Sequence, residues 1–193
     1  MRRWRGNIDV PLTALGEAQA NVAGSRLKEA GGLTLCYHDS LSRDVATARA
    51  VCHATAISPG PRPWKMGPGF EGHPITRNSI LHANWFMRHR DVVPHGGESW
   101  GQWYSEWMSW LAWLGRPGTH ATSGKIGVVT HNRNIVAVQA TTETGFDPKL
   151  YDCDGPDFCE VYYYFLGKIT PWLGTTLVPG IYLIRHGETS FGT

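Results

Sequence analysis

The chain has 193 residues, of which 41% are hydrophobic and 18% charged, with a formal net charge of +2 at pH 7. That length accommodates one well-buried core and is short for two, so a single domain over residues 1–193 is expected. So small a charge gives no bulk electrostatic case for nucleic acid, and no apolar run approaches the ~18 residues of a membrane helix.

The amino end, Met1-Arg2-Arg3-Trp4-Arg5, is basic but leads into no apolar h-region, and the four cysteines are scattered. Both features suit a reducing cytoplasm. Cys153 and Cys159 lack the paired clusters of a zinc site and read as free or buried thiols. Thr13 to Ala30 has apolar positions at Leu15, Ala18, Val22 and Leu27 and stops at Gly31-Gly32, which predicts a helix with Thr13 as its N-cap. Leu33 to Tyr37 predicts a short strand. His38 to Ala48 follows as a strand-to-helix junction carrying Arg43.

Residues 58–74 are too rich in glycine and proline for one regular element. Weak helical patterning over Ile75 to Arg90 is broken at Val92-Val93-Pro94. Ser99 to Leu114 then places Trp100, Trp103, Trp107, Trp110 and Leu114 three and four apart, the pattern of a helix face packed on a core. Ile126 to Asn132 predicts a strand ending in His131, with a helix from Asn134 to about Thr142. Glu160 to Leu166 predicts a late strand, residues 167–180 a connector, and Ile181 to Ile184 a buried strand that opens into Arg185-His186-Gly187-Glu188.

These landmarks resemble the histidine phosphatase superfamily, to which phosphoglycerate mutases belong. Arg185-His186-Gly187-Glu188 looks like its nucleophile signature. His38 to Ala48 is similar to its Ser-x-Leu-x-Arg-Ala-x-x-Thr-Ala element, with Asp44 in place of the usual Ala. His95-Gly96-Gly97-Glu98-Ser99 matches its Gly-Gly-Glu-Ser motif, and Val129-Thr130-His131 its second histidine. Asn132 stands where the acid-phosphatase branch commonly has Asp, which points to the mutase-like branch.

In that family the nucleophile motif opens the chain, and an Arg-x-x-Gly-x-x-Asp-x-Pro-Leu-Thr-x-x-Gly stretch follows it. Here that stretch is Arg3, Gly6, Asp9, Pro11, Leu12, Thr13 and Gly16, and joining Thr193 to Met1 restores the family spacing. The resemblance therefore implies a circularly permuted α/β three-layer sandwich, phosphoglycerate mutase-like, with a mostly parallel central sheet flanked by helices. Residues 167–180 would join the ancestral termini, and the ends of the chain would lie within roughly 10 Å of each other, about three residues of slack.

The chemistry implied is a phosphomonoesterase with a phosphohistidine at His186. His131 would be its catalytic partner, and Arg185 and Arg43 would bind the phosphate together with the two histidines. Arg3, Arg5 and Asn132 would line the rest of the substrate. For the general acid Glu98 comes first and Glu71 second. No metal and no cofactor is called for. The partner is a small phosphorylated substrate, with no nucleic acid and no membrane, and a homodimer is left open. A phosphoglycerate-type mutase and a non-catalytic phospholigand-binding module are the alternatives.

Overall fold

The computed structural model describes residues 3–53, 55–57, 59–119, 124–142, 145–147 and 157–189. Cys153, Met1 and Thr193 lie outside them, and with these last two the expected closeness of the ends. The elements run α1 (Ala14–Glu29), β1 (Leu35–Tyr37), α2 (Ser42–Val51), β2 (Thr55–Ile57), α3 (Arg77–Arg88), α4 (Trp100–Leu114), β3 (Lys125–Thr130), α5 (Asn132–Gln139), β4 (Thr141–Thr142), β5 (Gly145–Phe146), β6 (Val161–Phe165), β7 (Lys168–Pro171) and β8 (Gly180–Arg185). No described helix is long and apolar enough to cross a membrane.

Six strands form one sheet in the order β2-β1-β3-β8-β6-β7. The pairs from β2 to β8 are parallel, while β6 is antiparallel to both β8 and β7. The expectation of a mostly parallel sheet is thus corrected to a mixed one. The reason is local: Leu166 and Gly167, at φ 47° and 81°, make a two-residue turn between Phe165 and Lys168. So tight a connection can only reverse the chain, and positive φ at both positions suits the twist of a hairpin. The stretch read as a connector therefore begins with the edge strand β7.

Helices cover both faces, because the parallel strands alternate their apolar side chains between two cores. Leu35, Tyr37, Ile126, Val128, Ile181 and Leu183 pack with α4 and α5, whereas Cys36, Val129, Tyr182 and Ile184 pack with α1 and α2. In α4 the expected stripe is core: Trp100, Trp103, Trp107, Leu111 and Leu114 are buried and Trp110 packs against them. The indole nitrogens of Trp103 and Trp107 donate to the carbonyls of Arg62 and Asn134, which ties the 58–74 loop and α5 to this helix.

In α1 the buried face differs from the expected one. Leu15 and Val22 are 57% and 63% exposed, and the packed side is Gly16, Ala20, Ala23, Gly24 and Leu27. Small residues win there because the helix lies against backbone. A Cβ at Gly24 would strike the carbonyl oxygen of Ala50, and one at Gly16 that of Glu188. The close approach of Gly16 sets the amino end of α1, where Thr13 Oγ1 accepts from Gly16 N at 3.0 Å, directly against the loop after β8.

Candidate active site

The parallel strands β1, β3 and β8 end side by side, and each delivers functional groups at its carboxyl end, the position open α/β sheets use for ligands. From β8 come Arg185 and His186. From β3 comes His131, and from the turn after β1 come Asp39 and then Arg43 on α2.

His186 is buried and held by its own loop. Its backbone N donates to Thr130 O at 3.1 Å, and its Nδ1 lies 2.7 Å from the carbonyl oxygen of Gly187. A carbonyl can only accept, so Nδ1 carries the proton and Nε2 keeps its lone pair. The loop is fastened from α2, where Thr47 Oγ1 accepts from Gly187 N at 3.2 Å while donating to Arg43 O at 2.8 Å.

The same loop is fastened from the other side by residues 12–19. Thr13 N donates to Glu188 O at 3.0 Å, Glu188 N donates to the Gln19 side chain at 3.0 Å, and Leu12 bridges Thr189. Asp9 caps the amino end of α2, accepting from Ser42 N at 2.8 Å and Ser42 Oγ at 2.7 Å. Since Leu41, the N-cap residue, supplies no side-chain cap, a residue distant in sequence fills that role.

His131 is buried with its ring centroid 5.3 Å from that of His186. Its Nε2 is 3.0 Å from Asp39 Oδ2, and Asp39 Oδ1 accepts from Leu41 N at 2.6 Å. Arg43 is fully buried and donates to Ile8 O at 2.8 Å and Gly6 O at 2.7 Å. Two of its five N–H groups are so used, and the others remain for an anion or for Asp44, whose Oδ2 is 3.6 Å from Nε. Arg185 stacks its guanidinium 3.9 Å from the ring centroid of Phe158, which in turn lies 6.2 Å from the His186 ring.

Burial first, and then His131 and the arginines, hold His186 well below the usual imidazole range. Burial also lowers His131, against the opposing pull of Asp39. Both imidazoles are therefore neutral at pH 7, the form a nucleophile requires. For Asp39 burial alone would raise the carboxyl, but His131, together with the Leu41 N–H and the Arg43 guanidinium, outweighs it and the net direction is down. Asp44, wholly buried beside Asp39, is pushed well above the usual carboxylate range by desolvation first and by Asp39 second. Asp39, Asp44 and His131 offer ligand atoms within 4.8 Å of one another, a set that could hold a cation, although the Arg43 guanidinium against Asp44 opposes one.

The structure thus brings His186, His131, Arg43 and Arg185 together. Asn132 opens α5 next to His131, and Arg5 donates to Thr189 O at 3.4 Å at the rim. Arg3 is exposed and donates to Gly72 O at 2.7 Å. Glu98 receives both terminal nitrogens of Arg62 and, at 2.8 Å, Lys65 N. Glu71 accepts from the backbone and side-chain nitrogens of Asn7, each at 3.2 Å. Both carboxylates brace loops, Glu98 through both oxygens and Glu71 through Oε1.

Four members of the site were missed in the sequence: Asp39, Thr47, Asp9 and Phe158. The first three lie inside the motifs already singled out, which was the available signal. Phe158 carries none.

In fold the chain is similar to an α-ribazole phosphatase from Shigella flexneri, at 18% identity and TM-score 0.62 over 91% of this chain and 90% of that one. A phosphoglycerate mutase from Thermus thermophilus is similar at 23% identity and TM-score 0.54, over 76% of this chain and 78% of that one. No curated protein sequence matches. The model of the histidine phosphatase superfamily (branch 1) matches residues 1–162. With that span and with His186 and His131 converging at neighbouring strand ends, the chain belongs to the histidine phosphatase superfamily, branch 1.

Proposed function

We propose that the chain is a phosphomonoesterase that works through a phosphohistidine at His186 on a small phosphorylated substrate. The observation that carries this is the 2.7 Å contact of His186 Nδ1 with Gly187 O, which orients a neutral ring with Nε2 free to attack. Nε2 bonds to phosphorus as the bond to the leaving oxygen breaks, while Arg185, Arg43 and His131 take up the charge of the equatorial oxygens. The leaving oxygen receives a proton from a carboxylic acid, Glu98 first and Glu71 second. Water then attacks the phosphohistidine, returns a proton to that carboxylate, and phosphate leaves. Arg5 and Asn132 flank the pocket and suit contacts with the remainder of the substrate.

The order of motifs is read as a circular permutation of the family. Support comes from the family match ending at residue 162, before the strand that carries Arg185 and His186. It comes also from the bridge between Leu12 and Thr189 and the bond from Thr13 N to Glu188 O, which join the two halves of the family's opening pattern in space.

One observation favours a second reading, a non-catalytic phospholigand module: Glu98 and Glu71 are both engaged in loop bracing. Hydrolysis of an activated aryl phosphate decides between them, because such a leaving group needs little protonation. The expected result is turnover by wild type, an acid-labile adduct on the peptide containing His186 after rapid quench, and loss of both in His186→Ala. Full activity in His186→Ala would require another nucleophile, and binding without turnover would select the module.

A further inference from the structure

His131 comes to the pocket with one ring nitrogen already committed. Nε2 faces Asp39 Oδ2 at 3.0 Å, and both side chains are buried. Asp39 is itself oriented, since its other oxygen takes Leu41 N in the turn that opens α2. The two oxygens thus have separate tasks, one local and structural and one directed at His131 across 92 residues of sequence. Resting on the reading of His131 as a phosphate ligand, we propose that Asp39 is a positioning residue for phosphoryl transfer: by accepting the Nε2–H it fixes the tautomer of His131, leaves Nδ1 for the phosphoryl group, and lets the ring take up a proton there when a phosphate dianion enters.

The charges around His131 explain why an anion is needed. Burial, then Arg43 on α2 and Arg185 at the end of β8, disfavour an imidazolium, and Asp39 in the turn after β1 favours one; the neutral His186 ring lies 5.3 Å away. Asp44 on α2, whose Oδ2 is 3.7 Å from Nε2, is pushed well above the usual carboxylate range by burial first and Asp39 second, so it is a weaker source of negative charge than Asp39. Asp39 alone does not outweigh burial, so the ring is neutral with a lone pair on Nδ1. That lone pair would repel a phosphate oxygen. A dianion at contact distance supplies the missing charge, one proton is taken from solvent, and the imidazolium then donates to Asp39 through Nε2 and to phosphate through Nδ1.

Asp39→Asn separates the two tasks. The amide oxygen can keep the bond from Leu41 N, while the NH2 group turned to His131 would prefer a lone pair on Nε2 and so reverse the tautomer. The experiment is a histidine side-chain 1H–15N NMR titration of the full chain from pH 5 to 9, with and without inorganic phosphate, paired with aryl phosphate kinetics. In wild type His131 is expected as the neutral Nε2–H tautomer, becoming doubly protonated at pH 7 on addition of phosphate. In Asp39→Asn the tautomer should reverse and the phosphate-linked uptake should vanish. Its kcat should fall roughly 10- to 100-fold with KM changed far less, because the orienting carboxylate matters most as transition-state charge develops.

A wild-type His131 in the Nδ1–H form overturns the proposal, whether or not the variant folds. So does an Asp39→Asn protein with unchanged tautomer, uptake and kcat. Correct tautomer and uptake in a wild type that turns nothing over would leave Asp39 as the residue that orients His131 toward phosphate and sink the phosphatase reading instead.

Discussion

Replacing Thr47 by Val removes one hydroxyl from a fully buried side chain and leaves its shape almost intact. What the hydroxyl holds is Gly187 N, at 3.2 Å, in the loop that orients His186. Arg43 O, which it also reaches, still has its place in the helical ladder of α2. The loss is therefore that of a buried N–H left without an acceptor, about 1–3 kcal/mol. For a chain of this length that lowers Tm by roughly 2–12 °C.

Gly187 packs directly on backbone, since a Cβ there would strike the carbonyl oxygen of Gly16. Part of the lost energy should then appear as misplacement of His186, at about tenfold in kcat/KM for each 1.4 kcal/mol. Thermal melts and aryl phosphate kinetics of Thr47→Val, with Thr47→Ser as the variant that keeps the hydroxyl, measure both. If Thr47→Val melts and turns over like wild type, the loop is held by something else and the reasoning fails.

Glu98→Gln is expected to slow alkyl phosphates far more than aryl phosphates if Glu98 is the acid, since a poor leaving group needs its proton more; equal slowing assigns it the bracing of Arg62 and Lys65, and the same comparison on Glu71→Gln then decides for Glu71. Asp44→Asn should stabilise the protein increasingly as pH rises. A carboxyl whose folded pKa is raised contributes stability below its unfolded value of about 3.9 and loses it as pH climbs through the raised value, whereas Asn does not titrate. Melts from pH 4 to 8 should show the difference in Tm between variant and wild type growing with pH, and a flat or shrinking difference would contradict a raised Asp44 carboxyl.

Much of this protein is legible along the chain because the signals are local. Thr13 ahead of a helix and Trp100, Trp103 and Trp107 at helical spacing each depend on neighbours within a turn or two, as does the apolar run before Arg185. The order of motifs is equally a property of sequence. The local signal failed at α1, where Leu15 and Val22 satisfy a helical pattern yet face outward, since close approach to Ala50 and Glu188 favours glycine and alanine on the packed side. It failed again at Leu166-Gly167, a hairpin turn lacking the usual Asn-Gly, so that β7 passed for a connector.

The site itself was decided by tertiary contacts. Sequence placed histidines and arginines at strand ends, but only folding set Asp39 against His131, spent Arg43 on the carbonyls of Gly6 and Ile8, and engaged Glu98 with Arg62. Each of these is a pairing between residues more than thirty positions apart, and for Asp39, His131 and Arg43 burial gives the charge or hydrogen bond its weight. Residue types and spacing specify which groups can do the chemistry; the desolvated neighbourhood that the sheet assembles determines their protonation and orientation.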